Sequence, residues 1–147
     1  MSHHGFLATI LALSLTVAAS PTAAWAQQTA PPGGKFKKVS TLVALPDFLP
    51  GMGTLYVDPA TIPAGPFLAY DRDGKLVSSL YMIPLKDLEA HKAFNNLGAA
   101  KEKVDHVDLY YNAGHPGVPQ PHYHVVLWYV APEEAAGLKK GPAGMLR

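Results

Sequence analysis

The sequence predicts an α+β domain made mostly of antiparallel β-strands, arranged as a sheet or an open barrel, with one amphipathic helix at about residues 84–97. Two observations predict the strands. Two β-prone runs flank a charged turn that ends at Gly74, and two more flank a ten-residue loop at 112–121. The third observation is that apolar residues recur at helical spacing in one segment, which follows Pro84.

The first strands are predicted before residue 84. Between residues 39 and 57 short apolar bursts alternate with Pro and Gly, which favours short extended segments joined by tight turns, and 54–57 is a strand candidate. Residues 67–70 and 75–83 are predicted to form a hairpin, because Gly74 adopts the positive φ of a tight turn at little cost.

The helix and the last two strands complete the domain. Pro84 suits the first turn of a helix and Gly98 suits a C-cap. The apolar residues at helical spacing between them are Leu85, Leu88, Phe94 and Leu97. The runs DHVDLYY and HYHVVLWYV then predict two strands on either side of the loop.

Both ends of the chain are predicted to lie outside this domain. An uncharged apolar run at 6–19 is too short to span a bilayer, and it is followed by a helix break and by Ala24-Trp25-Ala26, which suits signal peptidase. We therefore expect a signal peptide at 1–26, a flexible leader at 27–38, one β-rich domain at 39–132 and a flexible tail at 133–147. Cleavage after Ala26 predicts a periplasmic or secreted protein without stable membrane insertion.

Composition excludes several classes of function. The formal net charge is only +1, which gives no electrostatic basis for binding nucleic acid. The chain has no cysteine, so any metal site must use nitrogen and oxygen ligands. No phosphate-binding loop, dinucleotide fingerprint or nucleophile elbow is present, and we expect no nucleotide cofactor.

Histidines are concentrated in the C-terminal hairpin. Alternation along a strand places His122 and His124 on one face, and it likewise places His106 and Asp108 on one face of the preceding strand. If Tyr110 is paired with His122, all four groups share a face, whereas a slip of one residue separates them. The sequence leaves this register open.

In the favourable register His106, Asp108, His122 and His124 would surround one divalent ion, with His115 added from the loop. Imidazole and carboxylate ligands suit zinc, iron, manganese, nickel or copper, and such a site leaves a coordination position open. The alternative is that these side chains only hydrogen-bond in a polar groove or bind a small anion. Pro and Gly residues in the loop favour a fixed path for His115.

Three stretches resemble a family of small exported bacterial domains of unknown function that includes a sigma-E-controlled protein of Thermus. They are PGMGTLYVDP, the hairpin leading into LYMIPLKDL, and HVDLYYNAGHPGVPQPHYHVVLWYV, within about residues 49–132. The resemblance implies an antiparallel β-rich α+β domain able to form rings or other homo-oligomers. Its histidine pattern matches His106, His115, His122 and His124, while Leu55 and Val125 stand where relatives often have polar residues.

The His-x-His pair also resembles the metal-binding motif of the cupins, but no glutamate follows it before Glu133. Three functions stay open. The favoured one is an exported binding module for a divalent metal or a small polar ligand. The second is a metal-dependent enzyme that uses Asp105, Asp108 or Tyr110 as an acid or base. The third is a structural, ring-forming envelope protein that needs no metal.

Overall fold

A computed structural model describes residues 29–139. Its strands are β1 (Lys37–Lys38), β2 (Thr54–Val57), β3 (Phe67–Tyr70), β4 (Leu76–Pro84), β5 (His106–Asn112) and β6 (His122–Trp128). Its helices are α1 (Leu85–Glu89) and α2 (Pro132–Gly137), and single 3₁₀ turns lie at Val39–Thr41 and Pro59–Thr61. No helix within residues 29–139 is long and apolar enough to cross a membrane.

The six strands form one antiparallel sheet in the order β1-β2-β3-β4-β6-β5. This confirms the predicted β-rich α+β class, the hairpin of β3 and β4, and the hairpin of β5 and β6. All nine residues of β4 are buried, because other elements cover both faces of this central strand. In β6 buried and half-buried residues alternate, as expected for a strand with one fully covered face.

The main core lies on one face of the sheet. The pairs Phe67 with Leu80 and Leu80 with Val126 continue one row of inward side chains across β3, β4 and β6. Partly buried side chains from residues 43–52 pack over this row. A smaller cluster, which includes Leu68, Tyr70 and Leu76, covers the opposite face.

The predicted helix at 84–97 is much shorter in the structure. It ends after one turn and a half, at Glu89, and both His91 and Asn96 adopt positive φ, of 56° and 55°. Leu88 and Leu97 are exposed. The apolar residues of this segment therefore provide too little buried area to extend the helix beyond its first turns.

Regular structure is present on both sides of the segment 39–132. In the segment assigned to the leader, the N–H of Ala30 donates to the carbonyl of Gly74 at 2.8 Å, and Lys37 and Lys38 form β1. In the segment assigned to the tail, Ala135 of α2 and Leu138, which directly follows α2, are buried in the main core. An ion pair between Lys75 and Glu134 and a hydrogen bond from the N–H of Gly51 to the carbonyl of Leu138 also hold this stretch to the domain. The predicted signal peptide and the last residues of the tail lie outside the described residues.

Candidate functional site

The site begins with the register of the C-terminal hairpin. Tyr110 is paired with His124, and Asn112 is paired with His122. This register differs by two residues from the one considered from the sequence, so the same side chains still share a face but have different neighbours. On β6 that face is the inner one, and the side chains of His122 and His124 are fully buried.

The loop between β5 and β6 brings a third histidine to this pair. The N–H of His115 donates to Val118 and that of Val118 donates back to His115, each at 3.0 Å, so a tight turn holds the histidine backbone. The His115 ring lies 4.9 Å from that of His122 and 5.7 Å from that of His124, centroid to centroid. One ring nitrogen from each of the three lies within 4.8 Å of the others. We call His115, His122 and His124 the histidine triad.

Hydrogen bonds set which ring nitrogens carry protons. Nδ1 of His122 lies 2.7 Å from the carbonyl of Gln120, and Nδ1 of His115 lies 2.9 Å from the carbonyl of Pro116. A carbonyl only accepts, so both Nδ1 atoms are protonated and donate. In the neutral rings the Nε2 atoms are therefore left with free lone pairs, the form that binds a metal.

His124 completes the network. Its Nε2 lies 2.9 Å from Nε2 of His122, and its Nδ1 lies 3.0 Å from the hydroxyl of Tyr110. Without a metal, Tyr110 donates to Nδ1 of His124, and His124 donates through Nε2 to His122. A metal would require the other tautomer, in which Nδ1 of His124 donates to the Tyr110 oxygen. Because a hydroxyl both donates and accepts, Tyr110 satisfies either state.

Desolvation keeps two groups of this network, His124 and Tyr110, neutral. Desolvation, together with the neighbouring His122 and His115, lowers the pKa of His124 to about 4, so its ring does not compete for protons near pH 7. Desolvation and the charge of Asp108 raise the pKa of Tyr110, and its hydroxyl keeps its proton. His124 therefore offers an uncharged nitrogen ligand near pH 7.

The spacing fits a metal after a small adjustment. Two nitrogens bound at about 2.0–2.1 Å and tetrahedral angles to one zinc ion are about 3.3 Å apart. The Nε2 atoms of His122 and His124 are 2.9 Å apart, slightly closer than this. The ligand nitrogens of all three histidines lie within 4.8 Å of one another, a range that extends beyond it. His115 lies on a loop and is only half-buried, so its ring has the most room of the three to move toward the other two.

The other two predicted ligands lie elsewhere. The carboxylate of Asp108 accepts from the indole N–H of Trp128 at 2.8 Å. The ring of His106 stacks on Trp128 at 5.9 Å between centroids, and its Nδ1 lies 2.9 Å from Asp105. Asp108 and His106 lie on the same face of the sheet as His124. They lie two and four residues before Tyr110 on β5, and Tyr110 is the partner of His124. Within residues 29–139 the structure groups only the three histidines closely enough for one ion.

A cavity of about 320 Å³ adjoins the triad. Asn112, His115 and His124 contribute polar side chains to its wall, and the other lining side chains are apolar. Much of this apolar wall comes from the segment 39–52, which packs over the sheet. The remainder comes from β2, β3 and β4, from Ile62 and from the loop residues 116–118. The side chains of His115 and His124 therefore border a cavity whose wall is mostly apolar.

Two features of this site were not predicted from the sequence. The sequence indicates Tyr110 as an acid or base but not as the partner of His124, although its period-two relation to Asp108 and Asn112 places it on the histidine face. The cavity wall from residues 39–52 was interpreted as extended segments and turns. No local pattern in that segment indicated that its apolar side chains would enclose a space beside the histidines.

The structure is similar to the crystal structure of the hypothetical protein TTHB210 from Thermus thermophilus. The two chains are 44% identical, the TM-score is 0.59, and the match covers 67% of this chain and 91% of the Thermus chain. No protein-family model matches the chain, and no curated protein matches it. The likeness therefore spans nearly the whole length of the Thermus chain.

Proposed function

Because the chain belongs to the same family as TTHB210, itself a hypothetical protein, we propose its function from the site geometry: it binds one divalent metal ion through the histidine triad. The observation that supports this most directly is the hydrogen bonding of Nδ1. Backbone carbonyls hold His115 and His122 in the tautomer whose Nε2 is free to bind a metal.

The ligand chemistry favours some metals over others. Three imidazoles suit zinc or copper(II) best, and iron, nickel and manganese follow. A three-nitrogen site leaves one coordination position open in a tetrahedral shell, and two members of the triad, His115 and His124, line the cavity. We place binding of the metal, with a small ligand in the open position, ahead of catalysis.

A metal-dependent enzyme is the second candidate, and the cavity beside the open position favours it. Of the three acid or base groups considered above, Tyr110 is the one that contacts the triad, while Asp108 bonds Trp128 and Asp105 bonds His106. Because the pKa of Tyr110 is raised, this residue would act as a proton donor and not as a base. Activation of a bound water would then depend on the metal alone.

Elemental analysis of the purified protein after exposure to zinc tests the metal function. We expect about one zinc per chain in the wild type and almost none in the variant His122→Ala/His124→Ala. His106→Ala is the matched control, because it removes a histidine from the same hairpin without touching the triad, and it should retain its zinc. Absence of zinc from the wild type, or equal zinc in the double variant, would contradict the proposal.

We also propose that the protein is exported, with cleavage after Ala26. The proposal rests on the sequence of residues 1–26. In this compartment the supply of metal to the triad would be set by the surroundings of the cell. Mass spectrometry of the protein recovered from outside the cytoplasm should give a chain that begins at Gln27.

The outer face of β5 supports self-association as a further part of the proposal. Val107, Leu109 and Tyr111 are 54%, 66% and 52% exposed, and β5 is the edge strand of the sheet. A strand edge bordered by apolar side chains readily pairs with another chain. Self-association through β5 would also serve the structural, ring-forming role in the envelope.

Sedimentation of the purified chain tests self-association. We expect an oligomer for the wild type and a shift to monomer for Leu109→Glu, because a buried carboxylate at this contact would be unpaired. Leu88→Glu, at an exposed leucine of α1, should leave the oligomer unchanged. A monomeric wild type at high concentration would refute the role of this face.

A further inference from the structure

The cavity next to the triad has an apolar body and a polar end. Its polar side chains are neighbours, because Asn112 is paired with His122 in the sheet and the rings of His115 and His124 lie 5.7 Å apart. Away from them the wall is formed by residues such as Leu45, Val57 and Phe67. A molecule that fits this space must combine one polar head with an apolar tail.

The side chains at the margin of the cavity are also apolar. Leu42 and Ile62 line the cavity and are nevertheless 42% and 45% exposed, so they border the opening to solvent. An exposed apolar rim is unfavourable unless something covers it, and it is poorly suited to admit a sugar or an ion. It fits the passage of an apolar tail.

Charge selects the head group. Three neutral imidazoles would leave the +2 charge of a bound divalent ion uncompensated, and the triad contains no carboxylate. Asp108, on the same face of the sheet, is bonded to Trp128. A charge next to an apolar cavity is costly unless an opposite charge accompanies it. The open coordination position therefore favours an anionic oxygen ligand such as a carboxylate.

The volume of the cavity limits the length of the apolar tail. An engineered apolar cavity of about 150 Å³ in another protein holds benzene, which has six heavy atoms. The present cavity, at about 320 Å³, is roughly twice as large. It should therefore hold about twelve heavy atoms. A saturated carboxylate with about ten carbons meets this limit.

We propose that the cavity binds a medium-chain carboxylate, with its tail in the apolar body and its carboxylate on the metal held by the histidine triad. This inference rests on the proposed metal function and adds the class of ligand. The ligand would bind by coordination at one end and by burial of methylene groups at the other.

Titration of the cobalt(II)-loaded protein with a series of carboxylates tests the inference. Visible absorption of cobalt reports a change of its ligands, and the probes are acetate, hexanoate, decanoate and tetradecanoate. Each buried methylene should tighten binding by up to about fourfold. We expect decanoate to bind at least about 100-fold more tightly than acetate, and the gain to level off in tetradecanoate, whose tail exceeds the cavity.

Two substitutions of matched chemistry separate the cavity from the metal. Leu45→Trp fills the cavity and should abolish the advantage of decanoate over acetate while the cobalt spectrum is retained. Leu88→Trp, at an exposed position that does not line the cavity, should keep the full chain-length dependence. The chain-length series on the wild type decides the question even if Leu45→Trp fails to fold.

The outcomes distinguish the two proposals. Equal binding of acetate and decanoate, with cobalt bound normally, would overturn the carboxylate inference and leave the metal function standing. Failure of the protein to bind cobalt would overturn the metal function and this inference with it. An affinity that rises without limit through tetradecanoate would also overturn it, because the cavity would not be setting the length.

Discussion

Zinc at saturating concentration is expected to raise the midpoint of thermal unfolding of the wild type by about 10 °C. A ligand that binds only the folded state at about 100 times its dissociation constant stabilises that state by about 2.7 kcal/mol. For a domain of this size each kcal/mol shifts the midpoint by about 4 °C. The triad is assembled only by the fold, since the loop supplies His115 and β6 supplies His122 and His124.

The variant His115→Ala should lose nearly all of this gain. Removal of one of three ligands weakens binding by about 100-fold or more, and the same zinc concentration then stabilises the fold by less than about 0.5 kcal/mol, or about 2 °C. His115 is half-buried in a loop, so the midpoint of the metal-free variant should stay close to that of the wild type.

The matched control is His106→Ala. It distinguishes the triad from the larger set of ligands that the sequence predicts, because His106 stacks on Trp128 and does not contact the triad. We expect this variant to keep the full effect of zinc on the midpoint. A zinc effect that survives His115→Ala but disappears in His106→Ala would exclude the triad as the site. Differential scanning calorimetry with and without zinc measures all three proteins.

The sequence contains enough information to predict the hairpin that bears the site. Period-two alternation in HYHVVLWYV correctly places His122 and His124 on one covered face. The same alternation in β5 puts His106, Asp108 and Tyr110 on the matching face. Periodicity gives the face of every side chain because it depends only on the local geometry of a strand.

Register does not follow from periodicity. A shift of two residues between β5 and β6 preserves every face, but it places Tyr110 and not Asp108 beside His124. In the structure this register occurs together with the turn at His115 and Val118 and with the bond between Trp128 and Asp108, contacts that alternation along a strand does not encode. A tyrosine hydroxyl, and not the predicted carboxylate, therefore lies beside His124 in the structure.

The helix and the cavity show the same limit. Apolar residues between Leu85 and Leu97 fit helical spacing, yet the helix ends at Glu89 because the exposed Leu88 and Leu97 have little to pack against. Conversely, the irregular segment at 39–52 has no strong local pattern but covers the core and forms the cavity wall. Tertiary packing, which a single segment does not reveal, decided both.

The substitution Gly114→Ala is expected to have the second large effect, on the fold and on metal binding together. Gly114 has a φ of 126°, where a side chain is strained, and a Cβ atom there would collide with the carbonyl oxygen of Pro119. The backbone at Gly114 and the backbone at Pro119 would have to move apart. We expect a loss of at least about 2 kcal/mol in the free energy of unfolding.

The same displacement would move the neighbouring His115 away from the other two histidines. Because metal affinity depends on all three ligands meeting at one point, we expect the zinc affinity of Gly114→Ala to fall by at least about tenfold. Calorimetric titration of the folded variant with zinc measures this loss, and denaturant unfolding measures the stability.

Gly137→Ala is the control for adding one methyl group at a glycine. Apart from its chain neighbours and the adjoining backbone of α2, no atom lies within 4 Å of the Cβ that it would introduce at the end of this helix. We expect unchanged zinc affinity and a stability equal to or slightly above that of the wild type, since alanine is the better helix former. If Gly114→Ala bound zinc as tightly as Gly137→Ala, the path of the loop would not control the metal site. His115 would then have to reach the metal from a loop free to adopt more than one path, and the close turn around Gly114 would serve only the stability of the hairpin.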